Sequence, residues 1–265
     1  MPRRRLIVRP GGIGDVILSL PALECLRADY TEIWVPRRSV PLIHGADAVD
    51  AIEATGLDLL ELGLAPQQLT DRLGGFDEIL SWYGASRAEF RSCLPQARFF
   101  DALPPAGAAV HAADFFLAQA RTICGCPGAA IPKIPLERWN GGFAVIHPFS
   151  GSPKKNWPLE RFRALAARLS QHLPVIWCAG PEERLESAQR FESLGDLAAW
   201  LAGASLFIGN DSGITHLAAA VGTPVVAVFQ ASDPQVWAPR GSAPIRIAAG
   251  EDESIVTQAA LELLS

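Results

Sequence analysis

Short apolar runs alternate with helical patterns along almost the whole chain, which predicts parallel sheets covered by helices. In the first half Arg5–Pro10, Glu32–Pro36, Ala51–Ala54 and Glu78–Trp82 read as strands, with Arg98–Phe100 a weaker signal. Asp15–Ala28, Leu57–Leu73 and His111–Cys124 read as helices between them. In the second half Phe143–His147, Pro174–Ala179, Ser205–Gly209, Val225–Phe229 and Ile245–Ala248 read as strands. Leu159–His172, Glu182–Phe191, Gly195–Ala202, Thr215–Val221 and an amphipathic Glu253–Leu264 read as helices. The stretch Cys126–Pro135 carries three prolines and a glycine without either period, so it reads as a linker. The expectation is two doubly wound α/β lobes, 1–135 and 136–265, whose strand ends face a central cleft.

Composition narrows the function classes. With 49% hydrophobic and 19% charged residues, the 265-residue chain reads as globular and able to bury a core. A net charge of −5 argues against a nucleic-acid partner. No apolar run reaches the ~18 residues that suggest a membrane span. Arg9 and Asp15 interrupt the apolar stretch after Arg3-Arg4-Arg5, so the start reads as the lead into a strand. Five scattered cysteines suit reduced thiols and a cytoplasmic setting. Cys124-Gly125-Cys126 lacks a second ligand pair, so no metal site is expected there. Arg3, Arg4, Arg5, Arg37 and Arg38 would support at most a peripheral contact with an anionic inner membrane.

Three loops after predicted strands carry candidate chemistry. In the first, Gly11-Gly12-Ile13-Gly14-Asp15, a dinucleotide fingerprint fails because Ile17 stands at the third glycine position and the second strand ends without an acid. What remains is a glycine turn, with Gly12 and Gly14, presenting Asp15 at a helix start. Asp15 is either a dipole-stabilising acid or a general base. The second loop, His147 to Pro158, sets Ser150, Ser152 and Lys155 before a helix, a phosphate-binding composition that is also common in solvated loops. The third, Asn210-Asp211-Ser212-Gly213-Ile214-Thr215-His216, breaks a strand and starts a helix, so Ser212, Gly213 and Ile214 can offer N–H groups to an anion. Asp211 suits turn ordering or sugar hydroxyls rather than phosphate, and His216 suits either packing or substrate contact.

Taken in order, Gly14-Asp15 with Leu20-Pro21-Ala22-Leu23, His147-Pro148 with Lys155-Asn156-Trp157-Pro158, Gly209 to Ala220, Pro224 and Asp233-Pro234 resemble glycosyltransferase family nine, the bacterial heptosyltransferases of lipopolysaccharide core assembly. The resemblance implies a GT-B fold with an acceptor-side Rossmann-like domain at 1–135 and a nucleotide-sugar domain at 136–265. It implies an inverting, metal-independent transfer with no cofactor, from an ADP-heptose to a lipopolysaccharide or other glycan hydroxyl. Asp15 then matches the catalytic base and Lys155 the diphosphate ligand, with Ser150 and Ser152 beside it. Ser212-Gly213-Ile214 matches the diphosphate-binding helix start, Asp211 a sugar contact, and Glu182 or Glu183 a ribose ligand.

The bottom-up chemistry is compatible. No Asp-x-Asp occurs in the chain, and a lysine with a helix N-terminus can stabilise the leaving diphosphate instead. Two departures stand out. The chain is shorter than the resemblance implies, with the shortfall expected in the N-terminal half, and Gln230-Ala231-Ser232-Asp233 replaces an expected Gly-x-Thr-Asp. A nucleotide-sugar epimerase and a non-catalytic nucleotide-sugar-binding module stay open as alternatives. The absence of an acid paired with Asp15 opposes the first, and a short N-terminal half favours the second.

Overall fold

The computed structural model describes residues 2–249 and 252–264. Two compact units divide the chain at Ala130 and Ile131. In the first, β1 (Arg4–Val8), β2 (Tyr30–Val35), β3 (Ala48–Ala51), β4 (Glu78–Ser81) and β5 (Ala97–Phe99) form an all-parallel sheet of order β3-β2-β1-β4-β5. Its helices are α1 (Ile13–Cys25), α2 (Ile52–Thr55), α3 (Gln67–Gly74), α4 (Ala88–Cys93) and α5 (Ala112–Arg121). Period-two alternation along β1 splits the core. Leu6 and Val8 join Trp34, Ile79 and Phe90 in one cluster, whereas the intervening positions supply Ile7 and the buried Arg5.

In the second unit β6 (Ala144–His147), β7 (Val175–Trp177), β8 (Leu206–Asn210), β9 (Val225–Phe229) and β10 (Ile245–Ala249) pair in parallel in the order β10-β9-β8-β6-β7. The helices are α6 (Leu159–Leu169), α7 (Leu194–Leu201), α8 (Gly213–Ala220), α9 (Pro234–Trp237) and α10 (Glu253–Glu262). Ile146, Ile208 and Val226 of the sheet share a cluster with Phe162 and Leu165 of α6 and Val256 of α10. Trp157 is buried in the same cluster, with its ring edge-on to Phe162 at 4.9 Å. The Trp-Pro that ends the second loop is therefore a packing anchor, and truncating such a side chain typically costs about 3–5 kcal/mol.

Several elements differ from the sequence reading. Ala51–Ala54 is shifted: β3 ends at Ala51 and Ile52 begins a helical turn, because pairing with β2 sets the register from Ala48. The helix expected at Leu57–Leu73 is broken into a 3₁₀ stretch and α3, since Gly63 takes a left-handed φ of +71° and Pro66 follows. Glu182–Phe191 forms no helix. Arg190 instead donates to the carbonyls of Gly180, Glu183 and Leu185, and Gln189 makes an isolated parallel bridge to Cys178. The thiols are not all reduced, because Cys25 at the end of α1 is disulfide-bonded to Cys126. Arg5 is not part of a basic surface: it is buried and bonded to Glu78, which Arg3 also meets at 3.1 Å. Among the described residues no helix is long and apolar enough to cross a membrane.

Candidate functional site

In the second unit the chain runs from β6 out to β7 and then returns to β8 on the other side of β6, which puts the switch point of the sheet between β6 and β8. Ligands of open α/β sheets bind outside the carboxyl ends of the strands at such a point. The second and third loops leave these two strands. Asn210 joins them: its Oδ1 accepts the Trp157 N–H at 2.8 Å and its Nδ2 donates to the Pro148 carbonyl at 2.8 Å. Within the second loop the Ser150 hydroxyl donates to Asn156 Oδ1 at 2.7 Å, and the Ser152 carbonyl accepts the Lys155 N–H at 3.0 Å.

This folding brings Lys155 to Asp211, Nζ to Oδ2, at 2.7 Å. Asp211 is buried yet well partnered: Ser232 Oγ also donates to Oδ2, and His216 Nε2 lies 3.9 Å from Oδ1. Ser212 caps α8, its Oγ accepting the Thr215 N–H. The N–H groups of Gly213 and Ile214 donate to no protein acceptor among the described residues. An ammonium and the first turn of a helix thus stand together at the strand edge, a setting that suits a phosphate.

The loop after β7 separates the two glutamates. Glu182 is exposed. Glu183 turns inward, and its Oε2 accepts from His147 Nε2 at 3.1 Å and from the Gly180 N–H at 2.6 Å. Burial raises the Glu183 pKa, but those hydrogen bonds outweigh it and leave the group below the usual carboxylate range. Burial also pushes the neighbouring Cys178 thiol up to about 12, so it stays protonated at neutral pH.

In the first unit Asp15 sits in the first turn of α1, and its Oδ2 accepts the Gly12 N–H at 2.8 Å. The left-handed position of the turn is Gly11, at φ +117°, where a Cβ would fall 2.8 Å from that of Asp15. Gly14 is an ordinary second residue of α1. Beneath the turn lies Arg9, 1% exposed, with its guanidinium 4.3 Å from the Phe116 ring and one nitrogen donating to the Asp15 carbonyl at 3.0 Å. Burial lowers its pKa to about 10, an effect that Asp15 opposes.

Sequence reasoning did not single out Arg9, Asn210, Ser232 or the His147 side chain as site residues. Ser232 carried a usable signal, being a hydroxyl where the family resemblance expects threonine. Asn210 and His147 stand inside the motifs that carry the resemblance, but their partners, like the Phe116 ring beside Arg9, lie far along the chain and left no local sign of a role.

Comparison with known proteins completes the picture. A model of glycosyltransferase family 9 (heptosyltransferase) matches residues 129–259, which contain both loops of the second unit. That match places the second unit in glycosyltransferase family 9. Lipopolysaccharide heptosyltransferase 3 of Escherichia coli is 29% identical over 159 residues, covering 52% of this chain and 47% of the relative. Lipopolysaccharide heptosyltransferase 1 of the K12 strain is 31% identical over 109 residues, covering 36% and 34%. The chain therefore spans about half or less of the length of these curated relatives. Among solved structures, the glycosyl transferase family 9 protein from Veillonella parvula superposes with a TM-score of 0.77 at 18% identity over 99% of this chain and 97% of that one. E. coli heptosyltransferase WaaC with ADP gives 0.71 at 18% identity over 98% and 99%. At that identity the likeness shows the fold, which is GT-B.

Proposed function

We propose that this protein is an inverting glycosyltransferase that moves a heptose from ADP-heptose to a hydroxyl of a glycan or glycolipid acceptor, without a catalytic metal. The match of residues 129–259 to glycosyltransferase family 9 supports the class. The donor follows the solved relatives described with ADP and with ADP-2-deoxy-2-fluoro heptose. The observation that carries the reading is the Lys155–Asp211 pair beside the first turn of α8. A diphosphate placed there takes up the lysine and the N–H groups of Gly213 and Ile214, and the leaving-group charge is met by fixed positive groups. Asp211, released from the lysine, becomes an acceptor for sugar hydroxyls, while Glu183 offers its second oxygen to the ribose. Asp15 takes the acceptor proton as general base, since a hydroxyl attacking an anomeric carbon must lose it. The setting we infer is cytoplasmic, with at most peripheral contact with the inner membrane.

Calorimetry with ADP in excess chelator is the test. Binding should persist without magnesium. Loss of binding on chelation would overturn the metal-free part, and absence of binding under either condition would overturn the donor site.

A further inference from the structure

We propose that His147 is a positioning residue for nucleotide recognition: its Nε2 holds Glu183 so that the free carboxylate oxygen meets the vicinal hydroxyls of a ribose. The inference rests on the donor-site reading and deepens it. His147 is the last residue of β6, paired with Gly209 of β8 across the switch point, and only 3% exposed. A side chain Cβ at Gly209 would fall 3.0 Å from the His147 carbonyl, so the two strands approach closely here.

Both hydrogen bonds to Glu183 converge on Oε2, and Oε1 has no partner among the described residues. One oxygen is therefore fastened and the other left as an acceptor. A vicinal diol supplies two O–H donors, the complement of such a carboxylate. The tautomer follows from the contacts. A proton on Nε2 donates to the carboxylate, whereas a bare Nε2 lone pair would repel it. In the neutral ring Nδ1 is then an acceptor, and it is buried without a hydrogen-bond partner among the described residues. Leaving such an atom unsatisfied disfavours folding, so local packing is a poor reason for an imidazole at this position. Its partner side chain lies on a loop where no helix forms, and Arg190 clamps only that loop's carbonyls. Among the described residues the hydrogen bonds that aim the Glu183 carboxylate thus come from His147 and the Gly180 N–H.

The experiment compares ADP with 2′,3′-dideoxy-ADP by calorimetry on the full chain. The wild type should prefer ADP by about 10-fold or more, the range for hydrogen bonds to a charged group. His147→Leu should weaken ADP until the two affinities lie within about 3-fold, with dideoxy-ADP unchanged. His147→Gln, whose amide nitrogen can occupy the Nε2 position, should restore the preference. His147→Asn reaches only the Nδ1 position and should not, which keeps the test open if the leucine variant fails to fold. Retained discrimination in both the leucine and asparagine variants would overturn the proposal, as would equal weakening of both nucleotides. A wild type that binds both nucleotides equally would overturn the ribose assignment of Glu183 itself, and a wild type that binds neither would overturn the donor site.

Discussion

Lys155 and Asp211, 56 positions apart, form an ion pair of 2.7 Å in which the aspartate side chain is 5% exposed and the lysine side chain 36%. The pair joins two strand-end loops, so its members serve both folding and binding, and the two roles can be separated. Lys155→Ala should weaken ADP by about 1.5–3 kcal/mol and also lower stability, because it leaves Asp211 buried with one partner fewer. In the double variant with Asp211→Asn the stability should recover while the ADP affinity does not. Calorimetry and thermal melts on the two variants decide it. Unchanged ADP affinity in Lys155→Ala would remove the lysine from the site.

Asp15→Asn retains an oxygen for the Gly12 N–H but no longer accepts a proton. Turnover should fall by roughly 10²–10⁴ while ADP affinity stays within a few-fold. Surviving turnover would leave Asp15 as a helix-start acid. If donor affinity fell as far as turnover, the residue would be structural.

The Cys25–Cys126 disulfide spans a sequence separation of 101 and ties α1 to the segment leading out of the first unit. Chain-entropy arguments give about 4.7 kcal/mol for a loop near that length. A Cys25→Ser, Cys126→Ser variant should therefore unfold at distinctly lower urea concentration. A transition that is unmoved, and equally unmoved when the wild type is reduced, would show that the bond does not contribute.

Alkaline stability should carry the mark of Cys178. Its folded pKa is raised to about 12, so its contribution is complete below the ordinary thiol value. That contribution is lost as pH rises towards 12, because the unfolded chain ionises first. Urea midpoints measured between pH 8 and 11 should fall more steeply for the wild type than for Cys178→Ala. Parallel curves would assign the alkaline loss to other groups.

What the sequence determined by itself is what neighbouring residues encode. Alternation in Leu6-Ile7-Val8 and the unbroken apolar run Val225–Phe229 define strands because side-chain period and burial are local properties. The Asp-Ser-Gly turn into α8 and Asp15 at the start of α1 were legible for the same reason, since a cap and its N–H partners lie within one helical turn. Helix propensity misled at Glu182–Phe191, where Leu185 and Phe191 are the large apolar residues and too few to form a stripe for the sheet. There Arg190 takes the carbonyls that a helix would have used. Only the tertiary structure decided which glutamate meets His147, that Asp211 meets Lys155 and Ser232, that Arg5 and Arg9 are buried, and that Cys25 finds Cys126. Each of these pairings or burials depends on strands and helices brought together by packing, and that proximity is a property of the assembled sheet rather than of any short stretch of chain.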